Sequence, residues 1–416
     1  MSNRGKVPKV GNRNSPKALH CHATFSVYNF LFSWCNLMVL EWDFDKLLLF
    51  TRGSFCSKYF QWYITVFVCA VLMGFGSCSY IIINSKTLPA QLVCAAYLIS
   101  AVIILLCGLA TVAGFYPNEL TKGINNLTLL KRQLDDDGFF RTISGNKKLE
   151  TYWKWTSRGV QLMIISFAGI SVVLPMAAVV MSIDPFFCTF PLLFPTSQKC
   201  VNSPICNLLR GAAIVLSRLA VAYICCIEVT RFFSFFFSTL VYMFEVQMRY
   251  LNILHNFPLG SRMDGKFLKW YNSYRVADQS FKEPFSLVVF ILLGDGFVIF
   301  VVANVMTIKT YYILPIEVYW ICPMVSLMTA FFVYIFLPLA IMNDKETKQL
   351  IWRRTSNLNR GGDGLALWER KLVRRKLRSL RPVAFQCGTV FTLSYGVDLR
   401  FIGAILIRTC DGLILI

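Results

Sequence analysis

The residues best placed to do chemistry in this chain are a handful of charges set inside apolar sequence. Arg408 and Asp411 stand in the terminal stretch 387–416, which is apolar almost throughout. Three residues apart, they share one face of a helix. Glu228 and Arg231 have the same spacing in another apolar stretch, with Arg218 ahead of them, and Asp295 is a further intramembrane-type carboxylate. Charges at mid-bilayer depth are costly, so they pair with one another or line a water-filled path. Ion conduction, a proton relay or a structural ion pair are the chemistries open to such groups. Enzymatic chemistry is not in view. His20, His22 and His255 are the three histidines, and no nucleophile–acid set or glycine-rich phosphate loop accompanies them. No two cysteines have CxxC spacing, so no zinc or redox motif is expected, nor any cofactor. Asp135, Asp136 and Asp137 read as a solvated turn before Gly138, because three adjacent carboxylates cannot all face one ion on a regular element.

The elements that must position these residues are membrane spans. The chain has 416 residues, 56% hydrophobic and 15% charged, against about a quarter charged for a soluble protein. Only helices and closed barrels satisfy their backbone groups in lipid. The apolar blocks run to twenty-odd residues, too long for the alternating strands of a barrel. An all-α membrane protein of seven transmembrane helices follows, at 59–83, 90–115, 160–183, 211–244, 285–308, 317–341 and a terminal piece from 401. The fourth block is longer than a bilayer needs, so its helix should project into water. The stretch 24–40 is apolar but interrupted by Asn29, Ser33 and Asn36, and reads as an amphipathic helix lying on the membrane. The first seventeen residues are rich in Pro, Gly, Asn and Lys and read as disordered, with no apolar core for a cleaved signal.

Orientation follows from the basic residues. Of the 42 Lys and Arg, most fall in the segments 1–58, 116–159, 245–283 and 342–382. The connections on the opposite side hold only Lys86, Lys199 and Lys309. Basic loops stay cytoplasmic, which puts the N-terminus inside and the C-terminus outside. The net charge of +20 therefore belongs to inner loops, and nucleic acid is excluded as a partner. A G-protein-coupled receptor is excluded as well, since its N-terminus is outside and its Asp/Glu-Arg-Tyr and Asn-Pro-x-x-Tyr signatures are missing. The sequon Asn126-Leu127-Thr128 falls inside and is expected to stay unmodified.

The terminal stretch carries Gly388, Phe391-Thr392-Leu393, the apolar run Ile402 to Ile407, and Thr409. With the seven inside-out spans, short outer loops and long basic inner segments, it resembles the arthropod (insect-type) gustatory receptor family. Its departures are Cys410 where the family has Tyr, Asp411 and Gly412 inside the apolar run, and an end at Ile416 where a Gln would stand. The resemblance implies a chemosensory, ligand-gated, non-selective cation channel of the plasma membrane that serves taste and takes a small-molecule tastant. It implies a homo- or hetero-tetramer with related subunits. The terminal helix (383–416) would line the central pore, and the inner segments 245–283 and 342–382 would pack into a cytoplasmic anchor below the transmembrane region 59–341. The alternatives are a secondary transporter of a small molecule, for which matching interrupted repeats are missing, and a non-conducting co-receptor subunit, which the irregular motif favours.

Site candidates follow from this frame. Thr409, Asp411, Leu413 and Leu415 are the pore-lining set, with the two leucines as a constriction that gates by dewetting or as plain packing. Arg408 and Asp411 face the pore, neutralise each other, or pair with Asp295 inside the bundle. Tyr80, Tyr97 and Tyr319, in the outer halves of their spans, are the ligand-pocket residues, although aromatics also form interfacial belts. Cys188, Cys200 and Cys206 share the one sizeable outer loop, where a disulfide joining Cys188 to one of the others is expected.

Overall fold

The computed structural model describes residue 20 and residues 22–33, 40–43, 48–51, 68, 74–136, 147–193, 204–258, 261–312, 316–359, 367–384, 386–387, 391–392 and 397–415. In chain order the elements are α1 (His22–Phe32), β1 (Leu40–Asp43), β2 (Leu48–Thr51), α2 (Gly76–Ile83), α3 (Ala90–Phe115), α4 (Pro117–Asp136) and α5 (Lys147–Val180). Then follow α6 (Phe190–Leu193), α7 (Pro204–His255), α8 (Ser261–Gln279), α9 (Lys282–Lys309), α10 (Ile316–Tyr319), α11 (Ile321–Asn359), α12 (Leu367–Arg378), β3 (Gln386–Cys387), β4 (Phe391–Thr392) and α13 (Val397–Leu415). The fold is all-α apart from two small antiparallel ribbons, β1–β2 and β3–β4.

Among the described residues, five helices are long and apolar enough to cross a membrane: α3, α5, α7, α9 and α11. The expected block 90–115 coincides with α3, which Pro89 opens and Pro117 closes just after its last residue. The other four overrun their apolar blocks. At 1.5 Å per residue the 52 residues of α7 reach about 78 Å, far beyond a hydrocarbon core of ~30 Å. The expected sixth block begins as the short α10, breaks at Trp320 and continues as α11. Of the expected first block only its last part, α2, lies mainly within the described residues. The terminal helix α13 begins before residue 401 and carries Asp398, Arg400, Arg408 and Asp411, which is why hydropathy alone does not mark it.

The inner segments that hydropathy leaves as loops are helices. α4 is polar on average, yet it buries Leu120, Ile124, Leu127 and Leu134 at helical spacing. It packs on β2, α7 and α8. Gly123 permits the closest approach: a Cβ there would stand 2.3 Å from the Phe281 Cβ. Asn125 fastens β2, its amide donating to the Leu49 carbonyl at 2.6 Å and its Oδ1 accepting from the Leu49 N–H at 2.8 Å.

Of the stretch 24–40, read as a helix on the membrane surface, the described part is helical to Phe32 and one of its sides is covered by protein. α1 packs against α5 and α7, and Phe25 is fully buried, stacked on Trp42 with ring centroids 4.3 Å apart. Its aromatic face meets a core that is itself aromatic. Phe232, Phe235, Phe236, Phe237, Tyr242 and Phe244 from α7 join Phe332 and Phe336 of α11 there.

Candidate functional site

The terminal helix α13 is the element whose chemistry the apolar sequence does not explain. It lies along α9, with Ile405 buried and Gly412 in close approach: a Cβ on Gly412 would meet Val305 Cγ2 at 2.9 Å. Ile405, Thr409 and Gly412 are four and three residues apart and so share this packed face. The opposite side is open. Arg408 Nη1 donates to Asp411 Oδ2 at 3.1 Å, and both side chains are largely uncovered by the chain, at 67% and 44% exposure. Leu406 and Ile407 are also exposed on this helix.

The helix divides the four residues expected to line one wall. At 100° per residue, positions two apart do not face each other. Thr409 and Leu413 share one side and Asp411 lies on another, while the side chain of Leu415 falls outside the described ones. Thr409 belongs with the packed face, and its Oγ1 is buried without a partner among the described residues. The open wall is built instead from Arg408 and Asp411. Arg408 is bonded to Asp411 within its own helix rather than to Asp295.

The lead into α13 is gripped from the inner helices. Tyr271 Oη of α8 donates to the Arg381 carbonyl at 2.9 Å. The Thr347 Oγ1 of α11 accepts from the Val383 N–H at 3.2 Å. β3 then packs on α9. Two polar centres steady these inner helices. Arg354, buried in α11, ties off the α7–α8 connection. It donates to the Pro258 carbonyl at 2.7 Å, to the Phe257 carbonyl and to Asp264 Oδ1 at 3.3 Å, and lies 4.5 Å over the Phe267 ring. Asp278 is buried beside Gln247, whose Nε2 is 3.5 Å away. Burial pushes its carboxyl up to about 7, against the opposing pull of Lys282. Neighbouring Tyr274 donates to Asn343 Oδ1 at 2.9 Å.

Just past the end of α5, Asp184 is buried and ion-paired with Arg218 of α7. The α5 terminus aims it there. Ser182 takes a left-handed φ of 56°, and the Ile183 and Ser182 N–H groups close back on the Ala178 and Val179 carbonyls, the helix-ending motif usually built on glycine. Arg218 also lies 5.0 Å over the Phe187 ring. This pair is invisible in the sequence, where Arg218 invites association with Glu228. Glu228 is bound by Arg231 at 2.6 Å on the same helix. In the inner segment, Asp135 pairs with Lys131 at 2.6 Å.

The expectation for the outer-loop cysteines is corrected. Cys188 is a free thiol, because its side chain turns into the small apolar cluster of Cys78, Ile81, Leu92 and Ala96. Cys206 is disulfide-bonded to a partner outside the described residues, and Cys200 also lies outside them. The three tyrosines do not gather at one described cavity. Tyr80 and Tyr97 sit exposed on α2 and α3, while Tyr319 packs against Tyr311 with centroids 5.4 Å apart and against Ile183. A described cavity of about 30 Å³ lies elsewhere, among Leu40, Leu120, Phe235, Met243 and Phe285. Its lining is apolar but for Thr239, and it is far below the ~300 Å³ of a ligand pocket.

No protein-family model matches the chain, and no curated protein matches it in sequence. Similarity appears in three dimensions. The insect olfactory receptor OR5 from Machilis hrabei, in complex with eugenol, superposes with a TM-score of 0.50 at 12% identity, over 95% of this chain and 98% of that one. A second structure of that receptor gives 0.49 at 11% identity, over 94% and 98%. At this identity the first likeness establishes the fold: the chain is built like an insect olfactory receptor.

Proposed function

We propose that this multi-pass membrane protein is a chemosensory receptor acting as a ligand-gated, non-selective cation channel. Its ligand class is small-molecule taste compounds, and its setting is the plasma membrane. Four copies, identical or related, surround a conduit walled by α13. Seven helices cross the bilayer, α2 and α13 joining the five long apolar ones, with the N-terminus inside and the C-terminus outside. The polar helix α4, the basic helices α8 and α12 and the polar end of α11 contact one another in a chain, which supports a common, cytoplasmic side for them.

The observation that carries the reading is the uncovered face of α13. An apolar terminal helix packs on α9 through Ile405 and Gly412 and leaves Arg408 and Asp411 unshielded by its own chain. At membrane depth such charges require water or another copy, and a conduit between copies supplies both. The pair has a second consequence. A ring of bare arginines suits anion passage; Asp411, 3.1 Å from each Arg408, cancels that charge and leaves cation flow open.

The test is ligand-evoked current from the chain expressed alone and with related subunits, in wild type and Asp411→Asn. Wild type is expected to pass cations, and the variant, with Arg408 released, to lose at least tenfold of its cation conductance while keeping ligand binding. Uptake of labelled ligand without current would turn the assignment to a transporter. Current seen only with a related subunit, and unchanged by Asp411→Asn, would make this chain a non-conducting co-receptor.

A further inference from the structure

Asp278 is a buried carboxyl that neither the open wall of α13 nor any described ion pair uses. It stands in the last turn of α8, beside α7 and α11, and is only 7% exposed. Gln247 of α7 and Asn343 of α11 are as deeply buried, so the site lies inside one chain. A buried carboxylate stays ionised when two or three donors or a close cation hold it. Here the donor is Gln247 Nε2, at 3.5 Å from Oδ1, the outer limit of a hydrogen bond.

The elements around it supply nothing better. From α7 comes Tyr250, whose hydroxyl is given to the Trp270 carbonyl at 2.8 Å. From α11 comes Asn343, whose Oδ1 accepts from Tyr274 at 2.9 Å. The adjacent Asp344 is paired with Lys348 at 2.6 Å. On α8 itself, Tyr271 gives its hydroxyl to the Arg381 carbonyl, and the charge of Arg275 acts on Tyr271. α4 reaches the α8–α9 connection through Gly123 against Phe281, and α12 packs inward through Val373 and Leu377. At the start of α9, Lys282 is exposed; its pull on Asp278 is outweighed by burial, which raises the carboxyl to about 7. The site has a use for the proton. Gln247 Oε1 is buried with no partner among the described residues, and a protonated Asp278 is a hydroxyl donor beside that amide.

The packing around this carboxyl extends to the lead into α13. Tyr271 is seven residues before Asp278, two turns back on the same face, and holds the Arg381 carbonyl at 2.9 Å. Tyr274, between them, is stacked on Tyr250 with centroids 5.2 Å apart and bonded to Asn343. One turn on from Asn343, Thr347 accepts from the Val383 N–H at 3.2 Å. An ionised Asp278 needs water or a closer Lys282, and α8 must shift to provide either, carrying Tyr271 and Tyr274 with it.

We propose that Asp278 is a proton-binding switch, whose loss of the proton loosens the hold of α8 and α11 on residues 381–383 and so on the lead into α13. The fold alone carries the switch. The preceding functional reading adds that the proton is cytosolic and that the loosened helix walls the conduit, which makes internal acid a brake on that helix.

The test is hydrogen–deuterium exchange of the full chain in detergent at about pH 6 and pH 8, corrected for the intrinsic rate. A carboxyl held at about 7 when buried and at 3.8 when exposed favours an opening that exposes it by up to about tenfold over this range. Protection of segments 270–279 and 379–384 is expected to fall at least threefold in wild type. Asp278→Asn, neutral at both pH values and of the same size, is expected to be equally protected at both. Tyr271→Phe keeps the carboxyl and removes the donor to Arg381. It is expected to keep the pH response in 270–279 and lose it in 379–384. Wild-type protection indifferent to pH, or a response that survives in Asp278→Asn, would overturn the proton site. A response at 379–384 unchanged in Tyr271→Phe would overturn its link to the terminal helix. The measurement needs neither ligand nor current, so its failure is distinct from failure of the channel reading.

Discussion

Thr347 is the most economical place to test whether the inner helices hold the terminal helix. Its side chain is fully buried. Its hydroxyl donates within α11 to the Asn343 and Asp344 carbonyls, at 2.9 and 3.0 Å, and accepts from the Val383 N–H at 3.2 Å. Thr347→Val keeps shape and volume and removes the acceptor. Val383 is buried as well, so its N–H is left with no partner, at a cost of about 1–3 kcal/mol. Thr355 supplies the control. It lies on the same helix and donates to the Ile351 carbonyl at 2.9 Å, but no backbone N–H of another segment is shown relying on it, so Thr355→Val should change stability by less than about 0.5 kcal/mol. Guanidinium unfolding of the detergent-solubilised protein reads both, and the midpoint should fall for Thr347→Val alone. Equal losses in the two variants would mean that the hydroxyl serves only its own helix, and the grip on residues 381–383 would have to be abandoned.

Two further predictions concern the same inner assembly. Arg354→Leu, which removes the ion pair to Asp264 and the donor to the Phe257 and Pro258 carbonyls, should cost about 3–5 kcal/mol, and Asp264→Asn distinctly less because the carbonyl contacts survive; the check is unfolding midpoints of both. Asp278 holds its proton in the folded state up to about pH 7, against an ordinary value of 3.8, so between those values the folded protein binds the extra proton. Its contribution to stability is therefore present in full below about pH 4 and is lost as pH rises through about 7; the midpoint should fall from pH 5.5 to 8 in wild type, and less steeply in Asp278→Asn.

The parts of the fold that hydropathy governs were legible in the sequence. The α3 block is bracketed by prolines, and the overlong fourth block became the long α7. Helices stabilised by a single buried stripe were not. α4 has its apolar residues at the right spacing, but its many charged and polar residues kept it from standing out as a block, and α1 looked like a lipid-surface helix because its burial depends on Trp42 and Tyr242. Long-range pairs were illegible in principle. Nothing local distinguishes Asp184 as the partner of Arg218, 34 residues on, and the left-handed turn at Ser182 that aims Asp184 carries no glycine to announce it. The terminal helix was legible as a helix, but naming alternate positions 409, 411, 413 and 415 as one wall imposes a strand's period on it. Arg408 with Asp411, at helical spacing, is the face the structure leaves open.

Any movement that reaches α13 must pass through few contacts, and α9 holds most of them. Among the described residues it touches α3, α11, β3 and α13, so in the proposed channel a ligand that repositions α3 or α11 would act on the terminal helix by shifting α9 or the grip at Thr347 and Tyr271. A ligand does so only by binding one arrangement better than the other. At the outer end that coupling narrows to Gly412 against Val305, where a Cβ would come within 2.9 Å. Gly412→Ala forces the two helices apart, an overpacking cost of about 1–3 kcal/mol, and should lower both stability and ligand-evoked current. Val305→Ala removes the methyl group that the new Cβ would strike, so the double variant should recover most of the loss, giving a coupling energy of at least about 1 kcal/mol. Strict additivity would show that the helices do not meet there, and the terminal helix would then be driven from its inner end alone.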